Sequence, residues 1–292
     1  MMLLQHAAGG PPDIGAMVLH HTADAWQVDL YPVGTIQLPR WADIHLGPLT
    51  LNLSPTKHVV YLILAAGLVF LSMWLAGRAL TRQRAGERAP KGFAAAMEGF
   101  VLFVRNDIAI ANIGRETGAR YAPFVMTLFF LVLYCNLLGL VPWGATPTGN
   151  LAVTGALAIL TFLAIEVGGF IQLGPKGYFH TIFPKVEGLG GAGAVAMSIG
   201  MAPIEVLSKL VKPFALAVRL FGNMTAGHFA ILAMFGIIFL FGNLQGWNYA
   251  IGVATAAVVV GLMMLEIIVA FLQAYVFALL SAVFIGLMQH EH

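Results

Sequence analysis

Residues 249–289 limit the possible folds of this chain more than any other stretch. Of these forty-one residues only Glu266 and Gln273 are strongly polar between the ends, and no proline or loop signal divides them. As a helix the stretch runs about 61 Å at 1.5 Å per residue, yet an upright span needs only ~20 residues to cross a ~30 Å hydrocarbon core. The segment before it, 196–242, is similarly long and apolar. Excess length is absorbed by tilting, kinking or protruding, and protrusion would put residues as apolar as the rest into water. The two segments therefore read as an antiparallel helical hairpin, joined by "NLQGWN" and steeply oblique to the membrane normal.

The rest of the chain fits an all-α integral membrane protein. It is 59% hydrophobic and 10% charged, where a soluble domain carries about a quarter charged residues. Three further spans read as 58–77, about 121–141 (stopped by Pro142) and 151 to about 173. Between the first two, "KGFAAAMEGFVLFVRNDIAIANIG" mixes apolar residues with Glu98, Arg105 and Asp107, the pattern of an amphipathic helix on the membrane surface. A Gly-rich polar link is expected over 174–195. Residues 1–57 read as a retained segment outside the membrane, in which "VDLYPVGTIQL" suits short strands, and 58–292 as the membrane domain. The sole cysteine, Cys135, excludes an internal disulfide and is most simply a small core residue.

Basic residues orient the spans. Eight of the fifteen lie between Arg78 and Arg120 and two more are Lys176 and Lys185, whereas the turns 142–150 and 243–248 hold none. Before His58 there are four acids, Asp13, Asp24, Asp29 and Asp43. Five crossings with the N-terminus outside and the C-terminus in the cytoplasm satisfy every loop.

The few polar residues of the hairpin fall in register. With the turn centred near 245–246, Arg219 lies opposite residue 272, beside Gln273, and His228 opposite residue 263, within a turn of Glu266. Glu266 and Gln273 are seven apart and Arg219 and Asn223 four apart, so each pair shares a helix face. Glu205 precedes Arg219 by fourteen residues and returns to within about 40° of the same stripe. A cation at the bilayer centre costs about 3 kcal/mol on insertion scales. Arg219 could snorkel toward the headgroups, but that leaves Gln273 and Asn223 unexplained. A guanidinium facing a protein partner accounts for all three.

Desolvation disfavours the charged form of a buried carboxyl, so Glu266 suits transient proton carriage, and His228 opposite it makes a relay, since imidazole titrates at about pH 6.5. Alternatively Glu266 is a neutral acid in a helix interface and His228 a satisfied core residue. Glu205 reads as a channel residue or as an interfacial ion pair with Lys209. Glu166 and Ser208 are candidates for lining an aqueous path. Gly222, Ala226 and Gly227 read as close-packing positions. No phosphate-binding "GxxxxGK[ST]" loop occurs, so the chain by itself is not expected to be an enzyme. His20, His21 and the terminal "HEH" suggest metal only weakly, and no metal, cofactor or nucleic acid is assigned.

At "KPFALAVRLFGNMTAGH" and "LEIIVAFLQAYVFALLSAVFIGL" the sequence resembles subunit a of the membrane sector of F-type ATP synthases. The "RLFGNM" core, the Glu fourteen residues before its Arg, the acid or His seven before the Gln of "LQAYVF", "NLLGLVP" and "PTGNLAVT" carry the likeness over residues 58–292. The resemblance implies a stator subunit in a bacterial plasma (inner) membrane, working with a ring of c subunits, a peripheral stalk of subunit b and the other ATP synthase subunits to translocate H⁺. It implies that Arg219 separates two aqueous half-channels, with Gln273 and Asn223 beside it. It also implies that His228 and Glu266 serve the outer channel and Glu205 the inner one. Two departures stand out. His and acid are exchanged between positions 228 and 266 relative to many bacterial members, and Gly139 stands where some have Asp. Two other classes stay open: a secondary transporter with a midplane polar site, although no internal repeat is found, and a structural scaffold, in which Arg219 would tolerate neutral replacement.

Overall fold

A computed structural model describes residues 15, 22–30, 34–47, 49–52, 54–84, 92–141, 144–183, 192–240 and 248–290. Six main helices dominate: α1 Lys57–Arg84, α2 Phe93–Phe103, α3 Arg115–Leu140, α4 Leu151–Ile182, α5 Ala192–Leu240 and α6 Asn248–His290. Among the described residues, five helices are long and apolar enough to cross a membrane: Lys57–Arg78, Arg115–Leu140, Leu151–Ile182, Val195–Ile237 and Tyr249–Met288. The chain is thus an all-α membrane protein. The N-terminal segment folds as two small antiparallel hairpins, β1 Gln27–Leu30 with β2 Gly34–Gln37, and β3 Ile44–Leu46 with β4 Leu49–Leu51. His20, His21, Asp13, Lys91, Pro142, Lys185, the turn 241–247 and the final two residues lie outside the described residues.

The amphipathic segment turns Met97, Val104, Ile108 and Ile113 inward and keeps Arg105 and Asp107 exposed. Its helix widens into a π-helical stretch, Val104–Ile110, before Ala111–Ile113. The expected link over 174–195 is corrected in its first half. Gly174 takes φ 68°, open to a residue without Cβ, and Pro175 begins a second helical run to Ile182. What reads as a polar connector therefore forms the end of α4.

Two compact units divide the chain. The first comprises Met1–Leu64, Cys135–Asn150 and Phe221–Phe271. Its centre is a buried polar knot in which Thr148 Oγ1 donates to Asn136 Oδ1 (2.6 Å) and lies 2.8 Å from Thr146 Oγ1. Thr146 Oγ1 donates to the Cys135 carbonyl (3.2 Å), and Asn136 Nδ2 donates to the Ala270 carbonyl (3.4 Å). Buried polar groups need such partners, so the knot explains the asparagine of "NLLGLVP" and the threonines of "TPTGN". The second unit comprises Ala65–Tyr134, Leu151–Leu220 and Leu272–His292. Its core gathers Ile108, Val125, Phe129, Phe130 and Phe277. Small residues bring its backbones close: a Cβ on Gly118 would lie 2.8 Å from Ile110 Cα, and one on Gly286 would meet the Asn112 carbonyl.

Candidate functional site

Each unit holds a cavity with polar groups in its wall. That of the first unit has a volume of about 350 Å³ and lies among the start of α1, the end of α3, the loop 144–149 and the facing stretches of α5 and α6. His58, Thr146, Thr225, His228 and Glu266 bring polar groups to its wall. Glu266 is 5% exposed. Both of its carboxyl oxygens, His228 Nε2 and Thr225 Oγ1 are buried, and none has a hydrogen-bond partner among the described residues. Leaving a buried polar atom unpaired costs about 1–3 kcal/mol. A cavity of this volume has room for on the order of ten waters beside these groups.

Two glycines shape this wall. A Cβ on Gly227 would stand 2.7 Å from Glu266 Oε1, and one on Gly139 would stand 2.8 Å from His228 Nε2. Glycine at 227 lets α6 bring its carboxyl against α5, and glycine at 139 leaves room for the imidazole. Of the three positions expected to pack closely, only Gly227 does so among the described residues. Gly222 has nothing within 4 Å of its Cβ direction, and Ala226 is exposed.

The first unit also contains two groups that sequence reading passed over. Asp24 Oδ1 lies 2.8 Å from His58 Nδ1, although not in line for a hydrogen bond, and accepts from the His58 backbone N–H (3.4 Å). Asp24 Oδ2 accepts from Asn150 Nδ2 at 3.2 Å. An acidic residue from the N-terminal segment thus meets the positive end of α1. The signal was weak: His58 beside Lys57 reads as the polar edge of a span, and its partner stands 34 residues away.

The cavity of the second unit is far smaller, about 30 Å³, and is bordered by Glu166, Glu205, Ser208, Lys209 and Lys212. Tyr178 Oη donates to Glu166 Oε2. Lys209 Nζ is 3.8 Å from that oxygen, donates to Thr181 Oγ1 at 2.8 Å, and sits 4.8 Å from the centre of the Tyr178 ring. The ion-pair reading of Glu205 with Lys209 does not hold among the described residues: Lys209 turns instead to Glu166, on another helix. Lys212 lies over the Phe284 ring at 5.2 Å. Tyr178 and Thr181 were missed because they fall where a link was expected.

Arg219 and Asn223 lie one turn apart on an exposed face of α5, among exposed Leu207, Val211, Phe214 and Val218. Among the described residues the Arg219 guanidinium has no ion-pair or hydrogen-bond partner. Gln273, expected beside it, is buried at 5% exposure, and no hydrogen bond joins the two. Of the hairpin residues expected in one polar line, His228 and Glu266 share the first cavity, Glu205 borders the second, Arg219 and Asn223 are exposed and Gln273 is buried.

The fold and these cavities define a polytopic membrane protein whose buried carboxyl and imidazole face internal space instead of each other's hydrogen bonds. The chain belongs to the ATP synthase A chain family, whose model matches residues 59–286. It is 42% identical over 274 residues to the ATP synthase subunit a of Chloroherpeton thalassium, covering 94% of this chain and 77% of that one. It is 44% identical over 246 residues to the ATP synthase subunit a of Myxococcus xanthus, covering 83% and 76%. With ATP synthase subunit a 2 of Chlorobaculum tepidum the identity is 41% over 273 residues, covering 94% and 72%.

Proposed function

We propose that the chain is the non-catalytic, proton-translocating stator subunit of a rotary ATP synthase in a plasma (inner) membrane. In this reading residues 1–57 stand outside the membrane and the C-terminus faces the cytoplasm. The His228–Glu266 cavity is the outer half-channel and the Glu166–Glu205–Ser208 cavity belongs to the inner one. The exposed face of α5 bearing Arg219 and Asn223 meets a ring of c subunits, each with a membrane carboxyl, while subunit b and the remaining subunits hold the chain still. Family membership supports the role, and the unpartnered, exposed Arg219 on an apolar helix face carries the reading. A guanidinium in hydrocarbon without a counter-charge is costly, so the partner that covers it supplies an acid.

The gating chemistry follows from charge. A proton crossing 100 mV releases about 2.3 kcal/mol, and a continuous water path would dissipate it. A fixed cation repels a free proton, but it pairs with an arriving carboxylate and favours that carboxylate's charged form. The ring acid therefore gives up its proton on one side of Arg219 and takes another on the other side. Gln273 and Asn223 offer neutral hydrogen bonds to the same carboxyl.

The test is R219A in the whole complex reconstituted into liposomes. ATP synthesis driven by an imposed proton gradient is expected to vanish while subunit content stays normal. Synthesis persisting in R219A would sink the gate, and synthesis driven by sodium but not by protons would replace the transported ion.

A further inference from the structure

We propose that His58, anchored by Asp24, is a third proton-handling group of the His228–Glu266 cavity, through which protons pass between that cavity and the solvent at the N-terminal segment. This rests on the proton-translocating function above and adds an entrance to it.

Three observations support it. First, His58 lines the same cavity as His228 and Glu266 although it comes from α1, so three titratable side chains from three helices share one space of about 350 Å³. The described residues bring no three His, Cys, Asp or Glu side chains into a metal-holding cluster, and separation across water suits relay better than coordination. Second, the His58 side chain is 4% exposed while its partner Asp24 is 32% exposed. The pair therefore spans from solvent to cavity wall. Third, only one edge of the ring is occupied. Nδ1 faces Asp24, and Nε2 is engaged by no described residue. Lys57 and His58 both lie within electrostatic range of His228, so the charged and titratable groups around the imidazole are Asp24, Lys57, His228 and Glu266.

The step balances simply. Neutral His58 takes a proton at Nε2 from a hydronium that arrives from the solvent side, leaving water behind, and the Asp24 carboxylate stabilises the imidazolium. The same nitrogen then releases the proton to cavity water, from which His228 and Glu266 draw. No group other than these and water is needed. Nδ1 stands 2.8 Å from the Asp24 carboxylate in an ion-pair contact, which leaves the other nitrogen for exchange.

The experiment compares wild type, H58A, H58Q and D24N as whole complexes in liposomes, with complex content matched, by ATP synthesis after acid–base transitions. Glutamine keeps a hydrogen-bonding side chain against Asp24 but cannot carry a proton. A merely structural His58 predicts near wild-type rates for H58Q. The relay predicts a loss on the order of tenfold in H58Q and H58A, below the 10²–10⁴ of an obligatory acid–base group because cavity water offers a bypass. Free imidazole in the buffer is expected to restore most of the rate in H58A, whose cavity is enlarged, and little in H58Q. D24N keeps the imidazole and its shape. Its rate profile is expected to move toward lower pH, since an amide no longer favours the imidazolium.

H58Q at full rate, losses that imidazole does not touch in H58A, or an unmoved pH profile in D24N would each overturn the relay. A wild-type complex that makes no ATP from a proton gradient would instead overturn the function on which the relay rests.

Discussion

Replacing Gly227 with alanine separates the position of the Glu266 carboxyl from the stability of the helices that hold it. A Cβ at 227 would fall short of the 3.4 Å of ordinary contact by 0.7 Å at Oε1 and by 0.3 Å at Cδ, while Cγ at 3.5 Å already clears it. The carboxyl can therefore yield by turning about its last bond, without α5 and α6 moving apart. Overpacking usually costs about 1–3 kcal/mol, and the low end applies where a side-chain tip facing a cavity gives way. Alanine for glycine inside a helix returns about 1 kcal/mol. The net change in stability is then within about 1 kcal/mol of zero.

Transport should respond quite differently. Misplacing a reacting group by 1 Å can cost about 10²-fold, so a shift of 0.7 Å at Oε1 predicts a loss on the order of tenfold in proton-driven ATP synthesis. The assays are that rate and the thermal midpoint of the solubilised complex. In an E266A background the contact is gone, so G227A should raise stability by about 1 kcal/mol through helix propensity alone. Full activity in G227A, or a fall in stability in the E266A background, would refute the assignment of Gly227 as the seat of that carboxyl.

Gly139→Ala meets no flexible tip. Its Cβ would stand 2.6 Å from Thr146 Cβ as well as 2.8 Å from His228 Nε2, and Thr146 is tied to Cys135 and Thr148. A loss of about 1–3 kcal/mol is expected together with reduced proton-driven synthesis, read as a lower thermal midpoint and a lower rate. Gly286→Ala would drive a methyl into the Asn112 carbonyl. Backbone cannot yield as a side chain does, so a cost of about 3 kcal/mol and poor recovery of assembled complex are expected, measured by subunit content in membranes. For Asp24, burial alone would favour the neutral acid, but the nearby ring and the backbone N–H of His58 together outweigh it and hold the carboxyl below its ordinary range. The ionised group therefore contributes in full above the ordinary carboxylate value of about 3.9, and its contribution fades as pH falls through the lower native one. Proteolytic protection of the N-terminal segment should persist from neutral pH to about pH 4, fall below it, and lose that pH dependence in D24N.

What could be read from the sequence was whatever a helix face or an energetic penalty announces. Polar residues in apolar runs stand out because each is costly there, and that alone singled out Arg219, Glu266 and His228. The hairpin arithmetic set residue 264 opposite Gly227, whereas Gly227 receives Glu266, two residues along. Loop centring cannot supply that correction: the register is chosen by which small residue admits which side chain, a packing property of two helices at once. The same limit explains Lys209. Helical spacing offered Glu205 as its partner on the same strand of residues, but Glu166 and Thr181 reach it from α4. The segment that brings Tyr178 and Thr181 there was hidden by its polar composition, although "GPK" held the clue: a glycine able to take positive φ followed by a proline suited to a first helical turn ends one helix and starts another. Asp24 and His58 had no such clue. Their meeting depends on where a strand-bearing segment folds back against the start of α1, and nothing in the spacing of a residue 34 positions away encodes that return.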